Sequence, residues 1–540
     1  MVVIPTMVRL APRLKMIDMP DPRKVHAIPV ARVGGWGITL GALLPFVLAS
    51  PMDPVISTYV FGAVVLMVFG TLDDCFEMGH YPKFIGQFLA TIPLVYYGGL
   101  YVERFPFMGP ELLPPEIGKP FTVFALVGMI NAINHSDGLD GLAGGESFLS
   151  LIVISLLAFL YIDGAAAGAQ LAESPDMFYA VILLVLAMAV IGGLLGFLRF
   201  NTHPARVFMG DNGSQFLGFT LGFMAVLLTQ RINTGLTPAL PALLLGLPIV
   251  DILAVFYLRI SGGMNWFKAT RNHVHHRLLD LGFVHSESVV IIYSVQAFFV
   301  TCAVILRYAP DWLVLAVYLG GCGALFALIT AAERRGWRAS SLKSRFRLEG
   351  YLTWLESLPT LRNLPLLLVT VGIPVYFVGS CASLSMVPTD FGVLSLVLLV
   401  ALGVEVLRST RGSVLGRLIV YSTAMFVVYL SLTPGPRAEL PLVIDHAFFV
   451  VLAVCVAIAM RSAGDGEFRI TPMDYLIVFI MLGVGLVSLS FDQVRVNTAL
   501  IIKAIIILYA CELILSRAQR GWAVISMTVL ATLAVLTLRG

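Results

Sequence analysis

Charge is what this chain lacks. Only 12% of its 540 residues are Asp, Glu, Lys or Arg, about half the share found in soluble domains. No long polar stretch separates the apolar ones, so a solvated domain of ordinary size is excluded. The six cysteines stand singly, at 75, 302, 322, 381, 455 and 511. The absence of any CxxC pair argues against a thiolate metal site or a disulfide framework. Cys75 follows an Asp-Asp pair but reads as a small filler residue. There is no fixed-period repeat and no low-complexity segment, and the net charge of +3 says nothing about nucleic acid. Nor is a cleavable signal peptide evident. Met1 to Met16 carries Arg9, Arg13 and Lys15 and is too short and too basic to span a bilayer, which takes about 20 apolar residues.

What is present is apolar. Hydrophobic residues make up 58% of the chain and the mean hydropathy is +0.92, values of an integral membrane protein. The apolar runs predict an all-α polytopic bundle of about 17 spans, beginning at 35–50, 56–72, 84–100, 119–134, 146–162, 178–198, 214–229, 237–258, 288–307 and 312–332. A second set follows at 364–386, 390–407, 415–432, 441–460, 474–490, 497–516 and 521–538. With a cytoplasmic N-terminus, Lys and Arg split 27 to 7 in favour of the cytoplasmic segments, leaving Lys503 inside a span. That asymmetry follows the positive-inside rule. The small-residue pairs Gly192-x3-Gly196 and Gly218-x3-Gly222 suit close helix packing.

Three acidic clusters then fall on one, cytoplasmic, side: Asp73-Asp74, Asp137 with Asp140, and Asp211. Carboxylates at the rim of a lipid-embedded bundle are costly and mark function. Gathered together they suit a divalent metal and phosphates. Adjacent carboxylates repel unless a cation neutralises them, and Mg2+ or Lys83 could do so; the bland alternative is a pair of solvated helix caps. Asn131-Ala-Ile-Asn-His-Ser-Asp-Gly-Leu-Asp140 continues into Gly141 and Gly145. Its glycines allow close backbone approach, and its Asn and Asp side chains can grip sugar or base groups. Asn131 and Asn134 lie inside an apolar run, where unpaired amides are expensive.

In Arg199-Phe-Asn-Thr-His-Pro-Ala-Arg-Val-Phe-Met-Gly-Asp-Asn-Gly-Ser214, Asp211 is expected just before a helix start that Ser214 could cap. The helix N-terminus and Arg206 would then favour phosphate. Asp251, two turns inside a run, reads equally as structural or catalytic. His273 and His276, spaced i, i+3, could share a helical face with Arg271 and Arg277 nearby. Phosphate contact suits this group better than zinc, which lacks further ligands.

The constellation resembles the polyprenyl-phosphate N-acetylhexosamine-1-phosphate transferases, the group that includes the WecA-like and teichoic-acid-initiating enzymes and the muramoyl-pentapeptide translocase. Five ordered motifs over residues 1–335 carry the likeness: Asp21-Pro-Arg-Lys-Val-His-Ala-Ile-Pro-Val-Ala-Arg-Val-Gly-Gly35, Asp73-Asp74 with Lys83, Asn131–Gly141, Asn201–Ser214 and His273–His276.

The resemblance implies transfer of a sugar 1-phosphate from a UDP-sugar to a polyprenyl phosphate, with release of UMP. It also implies Mg2+, with Mn2+ as a possible substitute. Asp211 is implied as the leading metal ligand, joined by Asp74 and Asn134, and Asp73 or Asp74 as the group handling the lipid phosphate. Asn134, Asp137 and Asp140 would line the nucleotide pocket, Asp140 nearest the uracil. Lys83, Asn201, Arg206, His273, His275 and His276 would hold phosphates or sugar, and His26 and its basic neighbours in the first motif would border the site.

The His-Val-His-His pattern is more similar to the HexNAc-1-phosphate branch than to the muramoyl-pentapeptide branch, which points to a GlcNAc-type donor. A phospho-MurNAc-pentapeptide transferase is the near alternative. A transporter with intramembrane acids is the alternative from another class, although transporter sites lie near the bilayer midplane. A catalytically dead scaffold is opposed by the intact acidic motifs.

Two departures from the family pattern stand out. The first helix before the Arg-Lys-x-His motif is expected to be missing. Beyond a basic linker at 336–363 lies a bundle, 364–540, with no recognisable motif, whose polar membrane residues include Glu405, Asp445, His446, Asp474, Lys503 and Glu512. Lys503 and Glu512 stand nine apart, so each needs a partner elsewhere. The expected setting is a multi-pass protein of the inner (plasma) membrane with a cytoplasmic active site, binding a UDP-sugar and a polyprenyl phosphate lipid and no nucleic acid, with a homo-oligomer left open.

Overall fold

The computed structural model describes residues 3–20, 28–166, 174–263, 272–339, 359–384, 387–408, 414–432, 442–461, 474, 476–479, 481, 492–515 and 518–540. His26, Arg271 and most of the basic linker lie outside these residues. The chain forms two compact units, Met1–Lys343 with Thr471–Ile480, and Ser344–Ile470 with Met481–Gly540.

The first unit contains α1 (Val3–Leu14), α2 (Gly34–Ala49), α3 (Pro54–Phe76), α4 (His80–Tyr96), α5 (Pro115–Ser136), α6 (Leu142–Ala166), α7 (Pro175–Asn201), α8 (Gly210–Leu227, extended by a π-turn at Leu228–Ile232), α9 (Leu240–Ser261), α10 (Val274–Asp280), α11 (His285–Ile305) and α12 (Asp311–Arg334). The local sequence explains the boundaries. Asp53 accepts the Ile56 N–H (2.8 Å) as N-cap of α3, with Pro54 in the first turn. Ser174 and Pro175 do the same for α7. Both follow the preference for Ser or Asp at the cap and Pro just inside it.

Helix α8 is the axis of this unit. Of its membrane-length window 94% is buried, against α2, α3 and α5. Gly218 makes the α5 contact possible, since a Cβ there would lie 2.7 Å from Ile130 Cα. At the other expected small-residue pair the close contact falls on a neighbouring glycine. Gly192 faces open space, and it is Gly193 that meets α2, where a Cβ would come 2.9 Å from the Ile38 carbonyl oxygen.

A small sheet was not anticipated. Strands β1 (Ile17–Asp18), β2 (Val30–Arg32) and β3 (Val207–Phe208) run in the order β1-β2-β3, antiparallel and then parallel, with Ile17 opposite Ala31 and Ala31 opposite Val207. Strands of two or three residues leave no periodicity to detect. Their effect is to clip the first motif to the fourth.

The second unit comprises α13 (Pro359–Ser383), α14 (Thr389–Leu407), α15 (Val414–Leu432), α16 (Leu442–Arg461), α17 (Asp492–Leu515) and α18 (Ala518–Arg539), around its own apolar core. Two ion pairs join its helices. Lys503 meets Asp445, and Glu512 accepts from Arg417 (2.6 Å) and from the Tyr421 hydroxyl. The nine-residue spacing puts Lys503 and Glu512 on opposite sides of α17, so each finds a different neighbour.

Among the described residues, twelve helices are long and apolar enough to cross a membrane, and Gly34–Ala49 and Ile444–Met460 are apolar but shorter. Each expected run coincides with a helix except 474–490, most of which lies outside the described residues. The fold is thus the expected all-α membrane bundle. Twelve helices meet the length and apolarity of a span where about 17 crossings were expected: α2 and α4 are helices of only 16 and 17 residues, α16 and α17 do not reach that measure over their described residues, and 474–490 lies mostly outside the described residues.

Candidate active site

The last turn of α3, the first turn of α8 and the loop after α5 converge on one cavity of about 820 Å3. Asp73, Asp74, Lys83, Asn134, Asp137, Asp140, Asn201, Asp211 and His276 all line it. Residues far apart in sequence are therefore gathered at a single end of the first unit.

Gly70 sets the approach of α3 to α8, because a Cβ there would lie 2.5 Å from Asn212 Cα. That proximity delivers Asp74 to the start of α8. One Asp74 oxygen accepts the Asp211 N–H (3.0 Å) and the other the Asn212 N–H (3.3 Å). Asp74 thus serves as an N-cap supplied by another helix, satisfying donors that a helix cannot satisfy itself. This changes three expectations. The helix begins at Gly210, so Asp211 sits in its first turn. Ser214 lies inside it and accepts from Asn134 Nδ2 (2.8 Å). The backbone N–H groups expected to meet phosphate are already taken by a carboxylate.

Lys83 stands between the acids. Its ammonium lies 2.7 Å from Asp73 Oδ2 and 2.5 Å from Asp211 Oδ2. Asp211 Oδ1 accepts from Asn134 Nδ2 (2.8 Å), and Asp73 Oδ1 from the Met78 N–H (2.9 Å). Two carboxylates of separate helices converging on one ammonium make a position that demands positive charge. Hard oxygen donors of this kind suit Mg2+ or Mn2+, so Asp73 and Asp211 fit a divalent ion, with the Asn134 amide beside them. Asp74, expected as a ligand, has both oxygens engaged by backbone.

The loop 137–141 forms the opposite wall. Burial, reinforced by the charges of Asp211 and Asp140, raises the Asp137 carboxyl to about 7. Asn201 lines the cavity but spends its amide on backbone, accepting from the Gly141 N–H (2.8 Å) and donating to the Val207 carbonyl (2.9 Å). Asn131, the other amide in the apolar run, pairs with Gln87 (2.8 Å).

The histidine motif is split by the fold. His276 lines the cavity. His273 is the N-cap residue of α10; it is buried, with Nδ1 2.8 Å from Asp251 Oδ2. Asp251 also accepts the Val274 N–H (2.9 Å), which shows it holding the start of α10. His275 is buried behind the loop, against Gly138, where a Cβ would fall 2.3 Å from its Nε2. Burial keeps its imidazole well below the usual range, hence neutral. His273 and His275 therefore back the wall rather than face the cavity: less than one helical turn separates three neighbouring histidines into different layers. Arg206 is exposed and is not among the lining residues, because it alternates outward next to β3.

Arg32, a basic residue of the first motif, lies at the rim, where it pairs with Asp18 on the unforeseen sheet. Sequence reasoning assigned no role to Asp18, His203 or His285. His203 and His285 line the cavity beside Asp140. His203 stood inside a quoted motif and was findable, whereas His285 carries no local signal.

Comparison with known proteins agrees with this arrangement. The family model Glycosyl transferase family 4 matches residues 56–229. A protein of Bacillus subtilis (strain 168) named "Probable undecaprenyl-phosphate N-acetylglucosaminyl 1-phosphate transferase" is 34% identical over 321 residues, covering 59% of this chain and 84% of that one. Proteins named "Undecaprenyl-phosphate alpha-N-acetylglucosaminyl 1-phosphate transferase" are 29% identical over 344 residues in Yersinia pestis and 28% over 348 residues in Escherichia coli (strain K12). They cover 63% of this chain and 90% and 89% of the relative. The chain belongs to glycosyl transferase family 4.

Proposed function

We propose that this protein transfers N-acetylglucosamine 1-phosphate from its UDP-sugar to undecaprenyl phosphate, releasing UMP, as a membrane step of cell-surface glycan synthesis. The observation that carries the reading is the convergence of Asp73, Asp140 and Asp211 on one cavity at the ends of apolar helices, with Lys83 between two of them. The names of the relatives supply the sugar and the lipid and favour GlcNAc over a muramoyl-pentapeptide. The acids lie at helix ends, in the last turn of α3 and the first of α8, rather than along a broken helix, which favours an enzyme over a transporter.

In the reaction an oxygen of the lipid phosphate attacks the phosphorus bonded to the sugar. A P–O bond forms, the diphosphate bridge breaks, and UMP leaves with the bridging oxygen. The difficulty is electrostatic, since two anions must meet, and placed cations lower the barrier. Lys83 is positioned to offset phosphate charge. Asp73 and Asp211 would hold Mg2+, or Mn2+ in its place, which when bound neutralises the diphosphate. A phosphate nucleophile needs little deprotonation near neutral pH, so these carboxylates act by holding cations more than as bases. Asp74 fixes the start of α8 and with it Asp211. Asp137 and Asp140 form the wall for the nucleotide. The 27 to 7 charge split supports a site at the cytoplasmic face of the plasma membrane, where nucleotide sugars are found.

The test is donor screening in purified membranes with undecaprenyl phosphate, reading UMP. UDP-GlcNAc is expected to release UMP, with loss on EDTA treatment and in Asp211→Asn, while UDP-MurNAc-pentapeptide gives none. Release from neither donor would refute the proposal.

A further inference from the structure

Asp140 lies on a loop, and a loop carboxylate can select a ligand only if something holds it. Its backbone N–H donates to His285 Nε2 at 3.0 Å, so that nitrogen carries no proton and the imidazole proton sits on Nδ1. His203 stacks on His285 with ring centroids 4.0 Å apart and planes inclined by 17°. His203 Nδ1 lies 2.7 Å from Asp140 Oδ2, and the Ala205 N–H donates to the same oxygen at 3.1 Å. These partners occupy Oδ2 and the backbone, which leaves Oδ1 as the oxygen available to a ligand. The brace joins three separate segments: the loop after α5, the stretch before β3 and the first residue of α11.

The same three side chains bring ligand atoms within 4.8 Å of one another, as a metal site would. Two features argue against that use. The rings are nearly parallel, so their in-plane lone pairs run side by side instead of meeting at a point. The His285 Nε2 lone pair already accepts an amide. Meanwhile His285 Nδ1 is buried with no hydrogen-bond partner, a poor arrangement for a residue kept only for packing.

We propose that His285 is a positioning residue for donor recognition: its Nε2 holds the Asp140 backbone, and through the stacked His203 it fixes which carboxylate oxygen faces the nucleotide. This rests on the reading of Asp140 as a nucleotide contact. The experiment uses the full chain and two substitutions. His285→Phe keeps a flat ring beneath His203 but removes the acceptor; His285→Gln restores an acceptor at similar reach.

In donor-saturation kinetics with undecaprenyl phosphate, His285→Phe should raise KM for UDP-GlcNAc about tenfold with kcat within about twofold, and His285→Gln should return KM to within about threefold of wild type. Hydrogen exchange at the Asp140 amide, which needs no substrate, should speed up about tenfold in the Phe variant and not in the Gln variant. Should the Phe variant fail to fold, His203→Ala, which removes the stack and the Oδ2 bond, must raise KM in the same way. Wild-type KM in His285→Phe or in His203→Ala, or unchanged Asp140 exchange in His285→Phe, overturns the proposal. Wild-type enzyme that releases no UMP while exchange responds as stated leaves the brace standing and sinks the functional reading instead.

Discussion

Gly70→Ala isolates the contact on which the whole site depends. The added methyl would lie 2.5 Å from Asn212 Cα, 2.6 Å from Asn212 N and 3.0 Å from Asp211 C, all backbone atoms that no rotamer change can move. An ordinary carbon contact is about 3.5–4.0 Å, so α3 and α8 must part by roughly 1 Å. The Asp74 bonds to the Asp211 and Asn212 N–H groups, now 3.0 and 3.3 Å, would then stretch to about 4 Å, beyond hydrogen-bond reach. Overpacking of this kind costs about 1–3 kcal/mol, and a misplacement of about 1 Å among reacting groups lowers a rate about a hundredfold.

The assay is UMP release by purified protein, paired with thermal unfolding in detergent. Gly192→Ala is the matched control, since a methyl there meets no heavy atom within 4 Å and should stabilise its helix by about 0.5–1 kcal/mol with activity unchanged. A Gly70→Ala protein with wild-type turnover and melting temperature would show that the α3–α8 spacing does not govern the site.

Lys83→Met takes the ammonium from between Asp73 and Asp211. It should slow turnover about a hundredfold while tightening Mn2+ binding severalfold, as read by electron paramagnetic resonance; weaker Mn2+ binding would mean that Lys83 and the ion do not compete. Asp137→Asn tests the carboxyl raised to about 7. An acid that holds its proton more tightly when folded loses stability as pH rises from about 4 to about 7. The variant should therefore be more stable than wild type above pH 7, with the difference vanishing toward pH 4 in melting curves; parallel curves at every pH would count against the burial of Asp137.

Composition and run lengths were sufficient for the membrane class and for nearly every helix, because lipid forces backbone groups to pair within their own segment and so writes the fold into local apolarity. The acidic motifs were equally legible, since Asp73, Asp74, Asp137, Asp140 and Asp211 break apolar runs where charge is expensive. What sequence could not assign was the partner of each charge. Asp74 reads as a metal ligand and turns out to cap another helix. His273, His275 and His276 read as one cluster and are separated into wall and cavity. Arg206 points outward, while Asp18 and His285 reach the cavity from a strand and a helix start that carry no motif. Hydrogen bonds and ion pairs across more than a hundred residues depend on helix separations of a few tenths of an ångström, set at positions such as Gly70 and Gly218. Those separations exist only once the helices have packed.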